Sequence, residues 1–348
     1  MSSLSILPIW LIATYVFLFG LCIGSFLNVV ILRGLSGEDF VLQRSKCPKC
    51  GNKLKWYMNI PLLSYIFLKG KCGFCKTRIS IQYPIIELLT ALLFMSVYIK
   101  FGLTLKAFFL IIIISTFIVL AMTDILETVI LTNHAYFLIA TGLIYSVLSL
   151  SGITIKESIL AGIAGFVIFE IISRLGYFFA GMRIFGEGDS YITAGIGAVF
   201  GFKGLVIVVA LSFLIQSALA LPIITINAFK DKKTKLGISY ILVTISIIYI
   251  ILTNALNLTS SNFYTVSVLI MAGILIYCLK NVIAEIHSKK KLFEAENSGN
   301  ETKNDDEEFE KGKNIFLLMP FGPALIIASV ICIFYLAEIK NILKSVII

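Results

Sequence analysis

The sequence has 348 residues, of which 58% are hydrophobic and only 14% are charged, and its formal net charge is +9. A soluble domain carries about 25% charged residues, so this composition excludes an ordinary soluble protein and favours a membrane protein with helical spans. The basic excess does not indicate nucleic-acid binding, because it lies in loops between apolar runs, where the positive-inside rule requires it.

Apolar runs of about 20 residues recur along the chain, long enough to cross a hydrocarbon core about 30 Å thick. The first run has no basic residue before it and no small-residue cleavage site, so we interpret it as a retained span. We therefore predict an all-α polytopic membrane protein with about ten transmembrane helices. The predicted spans are Ile6–Leu32, Ile85–Ile99, Leu105–Thr123, Val129–Leu150, Ser158–Ala180, Tyr191–Phe202, Gly204–Phe229, Leu236–Asn254, Tyr264–Leu279 and Ile315–Leu336.

Charge in the loops predicts the orientation of the spans. Between Arg33 and Arg78 lie ten Lys or Arg residues and two acids. Basic loops resist translocation, so this loop is expected in the cytoplasm. If the N-terminus lies outside, the basic stretches at 229–235 and 287–291 also fall inside. The segment 295–313 is acidic and polar, and it predicts a disordered cytoplasmic loop that serves as a solvated tether or as a docking site for a partner.

Four of the seven cysteines form two CxxC pairs, "CPKC" and "CGFC", with 21 residues between them. Two such pairs at this separation predict four thiolates around one tetrahedral zinc ion, a structural site because no position remains for water. Two alternatives stay open, namely redox-active dithiols and free thiols without metal. The predicted zinc ligands are Cys47, Cys50, Cys72 and Cys75.

Two aspartates stand out among the acids in the apolar part of the chain, where ionisable residues are costly. Asp124 ends the third predicted span and Asp189 begins the sixth, so both lie at the cytoplasmic face. Two close carboxyl groups can share a proton, so that one activates water while the other protonates a carbonyl group. In "GEGD", Gly186 and Gly188 remove side chains beside Asp189 and would let a peptide backbone approach. The alternative interpretation of "GEGD" is a simple cytoplasmic turn.

Three further acids have structural interpretations. Glu170 has Arg174 four residues later, which predicts an ion pair on one helix face. Glu87 lies near the start of a span, where capping or packing is as good an interpretation as catalysis. Glu127 lies at a cytoplasmic span end and is expected at the membrane interface.

Five segments, in this order, resemble the motifs of the bacterial type IV prepilin peptidases, which are bifunctional leader peptidases and N-methyltransferases. The first three are "GSFLNVVILR" from Gly24, the cysteine loop with its following span at 44–94, and "TD" at Asp124. The last two are "GEGD" at Asp189 and "MPFGPALIIAS" from Met319. One departure is Tyr191, at a position where the family usually has lysine.

The resemblance implies that Asp124 and Asp189 form the catalytic dyad of an intramembrane aspartic peptidase. It implies cleavage of leaders from type IV prepilins or pseudopilins at the cytoplasmic face of the bacterial cytoplasmic membrane. It also implies N-methylation of the new N-terminus with S-adenosylmethionine, although no residue can be assigned to that donor. Implied partners are the substrates, the lipid bilayer and assembly proteins of pilus or secretion systems.

The predicted organisation has six parts, and two other functions remain as alternatives. One is a proton-coupled transporter, in which membrane carboxyl groups relay protons. The other is a catalytically silent paralogue that only binds pilins, suggested by the altered residues after Asp189. The predicted parts are a first span (1–32), the cytoplasmic zinc loop (33–84), the peptidase core with both aspartates (85–229), additional spans (230–280), the acidic loop (281–314) and the last span (315–348).

Overall fold

The computed structural model describes residues 8–37, 45–47, 49–180, 186–230, 238 and 320–347. The regular secondary structure over these ranges is helical, apart from two isolated β-bridges in the cysteine loop. The helices are α1 (Ile9–Ser36), α2 (Leu63–Phe67), α3 (Gln82–Phe101), α4 (Leu105–Glu127), α5 (Thr132–Val147), α6 (Ile155–Ala180), α7 (Glu187–Lys230) and α8 (Gly322–Ile347), with a 3₁₀ turn at Trp56–Asn59.

Six of the described helices are long and apolar enough to cross a membrane, namely α1, α3, α4, α6, α7 and α8. The prediction of an all-α polytopic membrane protein is thereby confirmed. The count of about ten spans stays a prediction, since the spans predicted at 236–254 and 264–279 and the acidic loop lie outside the described residues. Helix α5 has 16 residues, fewer than the roughly 20 that a span needs, where the sequence predicts a span over 129–150.

Helix α7 contains a break at Gly201, whose φ of 68° and ψ of −176° are not helical. A positive φ is easily adopted only by glycine, so this residue can interrupt the helix without strain on a side chain. The two helical segments, 187–200 and 202–230, meet close to the boundary that the sequence predicts between Phe202 and Gly204.

Helices α1 and α3 pack closely because α1 presents glycines at the contact. An added Cβ at Gly20 would lie 2.6 Å from the Cα atom of Ala91, and one at Gly24 would lie 2.7 Å from the Cα atom of Glu87. Small residues four apart let two helix backbones approach in a membrane. The contacts run in opposite directions along the two helices, so α1 and α3 are antiparallel.

Helix α4 lies at the centre of the described bundle, where it contacts α1, α3, α5 and α8. Its side chains Ile113, Phe117 and Leu120 are completely buried. The helix ends after Glu127, because Thr128 adopts the left-handed conformation, with φ 54°, and its N–H donates to the carbonyl oxygen of Asp124 at 2.9 Å. At the end of α4, Thr123 and Asp124 are buried, whereas Ile125, Leu126 and Glu127 are exposed.

The first segment of α7 packs tightly against α6. An added Cβ at Gly165 would lie 2.6 Å from the carbonyl oxygen of Thr193, and the hydroxyl of Ser158 donates to the carbonyl oxygen of Ala198 at 2.6 Å. These contacts fix the start of α7. All residues of the sites described below belong to one compact unit, 1–212 with 320–348, while 213–319 form a second unit.

Candidate active site and metal centre

Asp124 lies in the last turn of α4, and its side chain is only 5% exposed. The buried Oδ2 atom of this carboxyl group makes no hydrogen bond to any described residue. A buried polar oxygen normally has a partner, because leaving it unpaired costs about 1–3 kcal/mol. An unpaired oxygen at a helix end is therefore a candidate position for substrate or water to bind.

Asp189 lies in the first turn of α7 and is 4% exposed. Its Oδ2 atom accepts a hydrogen bond from the backbone N–H of Gly186 at 3.2 Å, whereas its buried Oδ1 atom has no partner among the described residues. The two glycines of "GEGD" differ in their surroundings. An added Cβ at Gly188 would collide with the side chain of Ile130, whereas one at Gly186 would meet only Oδ2 of Asp189, at 3.7 Å.

The two aspartates belong to one site, because the carboxyl group of Asp124 interacts electrostatically with that of Asp189. The structure thus brings together the two acids that the sequence placed at the same end of their spans. Two buried carboxyl groups that interact in this way cannot both ionise cheaply, so they favour a shared proton. This arrangement can take a proton from water and give one to a carbonyl oxygen.

A third helix completes the surroundings of Asp124. The backbone amide of Gly322, the first residue of α8, interacts with the carboxyl group of Asp124. An added Cβ at Gly322 would collide with Oδ2 of Asp124 and would lie 3.4 Å from Cδ1 of Ile192, on α7. From the sequence, Gly322 was assigned no role. The segment "MPFGPALIIAS", which contains Gly322 and resembles a family motif, is the feature that could have pointed to it.

The other acids have structural partners or lie at the surface. Glu170 accepts a hydrogen bond from Nε of Arg174 at 2.7 Å, which confirms the ion pair predicted from their spacing. Glu87 is buried, and its Oε2 atom accepts the backbone N–H of Leu62 at 2.7 Å, so it joins α3 to the cysteine loop. Glu127 is exposed.

A cavity of about 410 Å³ lies at the same end of the bundle as Asp124. It is open to the surface between the last turn of α1 and the connection from α4 to α5. Its lining residues are Gly34, Leu35, Ser36, Glu127, Val129 and Leu131.

The two CxxC pairs form knuckles with the same backbone geometry. The N–H of Cys47 donates to the carbonyl oxygen of Asn52 at 3.0 Å, and the N–H of Cys72 donates to that of Thr77 at 2.8 Å. The residue after each second cysteine has positive φ, 71° at Gly51 and 59° at the equivalent lysine. Each β-bridge closes one knuckle, Lys46 with Lys53 and Lys71 with Arg78.

The knuckles bring the four cysteine sulfur atoms within 4.8 Å of one another, so this cluster could hold a metal ion. The Sγ atoms of Cys47 and Cys75 are 3.9 Å apart, close to the edge of about 3.8 Å that follows from tetrahedral Zn–S bonds of about 2.3 Å. The pKa of Cys75 is lowered to about 6, first by the hydroxyl group of Thr77 and then by its backbone amide. The thiolate, which is the form that binds metal, is thereby favoured at Cys75. The pKa of Cys50, by contrast, is raised to about 11, because the lowering by the backbone amide of Asn52 is outweighed by burial and the thiol of Cys47.

Comparisons with known proteins agree with this geometry. The family model described as "Bacterial Peptidase A24 N-terminal domain" matches residues 18–101, and the one described as "Type IV leader peptidase family" matches residues 111–221. The first match contains all four cysteines, and the second contains both aspartates. No solved structure matches.

Several relatives named prepilin leader peptidase/N-methyltransferase are similar to this chain. The Myxococcus xanthus protein is 34% identical over 195 residues, which are 56% of this chain and 58% of the relative. The Aeromonas salmonicida protein is 31% identical over 251 residues, 64% of this chain and 85% of the relative. The Bacillus subtilis protein is 37% identical over 193 residues, 54% of this chain and 74% of the relative.

The chain thus spans less than two thirds of the Myxococcus relative but most of the Aeromonas one. The six apolar helices, together with this similarity, fit a multi-pass protein of the bacterial inner membrane. One family model covers the cysteine site and the other covers the aspartate site. The chain therefore belongs to the type IV leader peptidase family.

Proposed function

We propose that this protein is an intramembrane aspartic endopeptidase that removes leader peptides from type IV prepilins or pseudopilins. The observation that carries the proposal is the pair of buried carboxyl groups at the ends of α4 and α7, each with one unpaired oxygen. Family membership supports the same reaction, since the relatives are named leader peptidases.

In the proposed mechanism, Asp124 and Asp189 share one proton before the reaction. The ionised carboxylate takes a proton from a water molecule, and the water oxygen attacks the scissile carbonyl carbon. The protonated carboxyl group gives its proton to the carbonyl oxygen. When the C–N bond breaks, the proton taken from water passes to the leaving amine, which becomes the new N-terminus. One hydroxyl group of the intermediate returns a proton to the second carboxylate as the new C-terminal carboxyl group forms, which restores the shared proton. The amides of Gly186 and Gly322 hold the two carboxyl groups in place.

We infer that Cys47, Cys50, Cys72 and Cys75 hold one zinc ion. Bound there, zinc would supply a tetrahedral cross-link between the two knuckles and leave no coordination position for water. The site would therefore stabilise the loop and take no part in peptide cleavage.

We also propose that the protein methylates the amine that cleavage exposes, with S-adenosylmethionine as methyl donor. The names of the relatives support this second activity. The donor supplies a methyl group bound to a sulfonium; the amine nitrogen forms the new N–C bond as the S–C bond breaks, and the amine loses a proton. Cleavage must come first, because the amine does not exist before it.

The site is proposed to face the cytoplasm. Helix α3 starts at the cysteine loop with Gln82, and α4 returns toward that side, with Asp124 in its last turn. The aspartates and the basic loop therefore share one end of the bundle. Basic loops stay in the cytoplasm, which gives the orientation.

The proposal is tested with a co-expressed prepilin, read by gel shift and by the mass of the mature N-terminus. Wild type should shorten the prepilin and add one methyl group. Asp124→Asn and Asp189→Asn should each lower cleavage by at least about 100-fold, since general acid–base catalysis is worth about 10²–10⁴-fold. Glu157→Gln, a matched acid near the start of α6, should cleave like wild type. Full cleavage by either aspartate variant would overturn the assignment.

A folded wild-type protein that binds prepilin without cleaving it would instead indicate the silent paralogue. A prepilin that is cleaved but gains no methyl mass would remove only the second activity. The two halves of the proposed function are thus separable in one experiment.

A further inference from the structure

The stretch between the two CxxC pairs carries an exposed aromatic and apolar face. Trp56 is 81% exposed, Phe67 79% and Ile66 59%, and Tyr57 and Leu63 are exposed as well. These residues belong to the 3₁₀ turn Trp56–Asn59 and the short helix α2 that follows it. We call residues 56–67 the aromatic face. So many large apolar side chains in one short stretch indicate a surface that is covered in the native setting.

The aromatic face is surrounded by positive charge. From residue 45 to residue 86 the chain contains eight Lys or Arg residues and no Asp or Glu. Those nearest the face are Lys55 and Lys69, and both are exposed. Aromatic rings combined with lysines are typical of segments that lie in the headgroup layer of a membrane.

One hydrogen bond joins the aromatic face to α3. The N–H of Leu62, in the middle of the face, donates to Oε2 of Glu87 at 2.7 Å. Leu62 has φ 60° and ψ −50°, an unusual conformation for a branched residue, so its position is held by this contact. Glu87 lies five residues into α3, about 7.5 Å along the helix axis from its first residue, Gln82. The face is therefore held beside the first turns of a membrane span.

We propose that the aromatic face lies in the headgroup layer of the bilayer that holds the protein, where Lys55, Lys69 and the other basic residues of the loop contact anionic lipid headgroups. The charge argues for lipid and against the substrate as the occupant. An exported precursor carries a positively charged segment before its apolar segment, and the basic loop would repel it. Anionic headgroups attract the same residues, by about 1 kcal/mol for each basic side chain near the surface.

The chain offers a direct probe, because Trp10 and Trp56 are its only tryptophans. A full-length Trp10→Phe variant leaves Trp56 as the sole tryptophan. This variant is reconstituted in phosphatidylglycerol vesicles. The fluorescence of Trp56 is then compared between lipids brominated near the headgroup and lipids brominated near the chain end. The matched variant Trp56→Phe leaves Trp10, at the first turn of α1, as a reference for a span end.

If the face lies in the headgroup layer, shallow bromines lower Trp56 emission by about twofold, deep bromines have less effect, and aqueous iodide quenches it weakly. Trp56 emission that is indifferent to both brominated lipids and fully quenched by iodide overturns the proposal. So does emission that responds only when a prepilin is added, because the face would then bind substrate.

The role of charge is tested by the double variant Lys55→Glu with Lys69→Glu, in the Trp10→Phe background. In phosphatidylglycerol its quenching by shallow bromines falls by about half, and in phosphatidylcholine it changes little. The control is Lys203→Glu, an exposed lysine beside the break in α7, which leaves Trp56 quenching as it was. Equal loss in both lipids would overturn the contact with anionic headgroups.

Discussion

The cysteine loop and the aspartate site are built in opposite ways. Each knuckle closes on itself within a few residues, and the two cysteine pairs then meet around one point. The aspartate site has no such local closure, because Asp124, Asp189 and Gly322 come from three helices that are distant in the sequence. The contrast indicates that damage to the loop should stay local, whereas small changes in helix packing should disable the aspartate site.

The largest loss of cleavage, and the strongest test of the claim that helix packing controls the aspartate site, is expected from Gly322→Ala. The added methyl group would collide with Oδ2 of Asp124 and displace its carboxyl group. A displacement of about 1 Å can lower a rate about 100-fold, so prepilin cleavage should fall by about that factor. Cleavage is measured at matched protein levels in membranes.

The control for Gly322 is Ser329→Ala, on the same helix. The hydroxyl group of Ser329 donates to the carbonyl oxygen of Leu325, within α8, so its loss should leave cleavage near that of wild type. If Gly322→Ala cleaves as well as Ser329→Ala, the start of α8 is not part of the aspartate site.

The next effect distinguishes the two glycines of "GEGD". Gly188→Ala should lower cleavage by about 10-fold to 100-fold, because its Cβ would collide with Ile130. Gly186→Ala should have a smaller effect, since its Cβ makes only an ordinary contact at 3.7 Å. The double variant Gly188→Ala with Ile130→Ala removes the collision and should recover part of the activity. If activity does not recover, the loss of cleavage in Gly188→Ala comes from the backbone at Gly188 and not from the collision with Ile130.

A third change probes the loop alone. The double variant Cys47→Ser with Cys72→Ser removes two of the four candidate ligands, so elemental analysis should find its bound zinc lost. Protease digestion should then cut the loop first, while cleavage of prepilin falls by only about 10-fold, because the aspartate site lies in the packed helices. Cys22→Ser, on α1, is the matched control and should keep its zinc. Zinc retained by the double variant would exclude the four-cysteine site.

The smallest effect concerns the connection between the two regions. Glu87→Ala leaves the N–H of Leu62 without its partner, which should destabilise the loop by about 1.5–3 kcal/mol, the usual value for a hydrogen bond to a charged group. Hydrogen exchange at residues 62–68 should increase accordingly. Glu338→Ala breaks only an exposed pair with Lys100 and should cost less than about 1 kcal/mol. Equal exchange in both variants would show that Glu87 does not hold the loop.

The sequence predicted the parts of this molecule that depend on local spacing or on position along a span. The grouping of Cys47, Cys50, Cys72 and Cys75 followed from two CxxC pairs, because a knuckle needs only neighbouring residues. The meeting of Asp124 with Asp189 followed from their places at the same ends of their spans. Periodicity alone could not reveal the contact of Gly322 with Asp124, which depends on how separate helices pack, or of Leu62 with Glu87, which depends on how the cysteine loop folds against α3. For the same reason the short α5 was predicted to be longer than it is.

The place of Gly322 in the chain has a consequence for the order of synthesis. The ribosome makes α4 and α7 well before α8, so a growing chain carries both aspartates in the membrane while the third wall of their site is missing. Helix α8 belongs to the same compact unit as residues 1–212 and must return to it across the intervening segment. If the site needs Gly322 beside Asp124, cleavage would begin only after α8 has been made and has packed against α4.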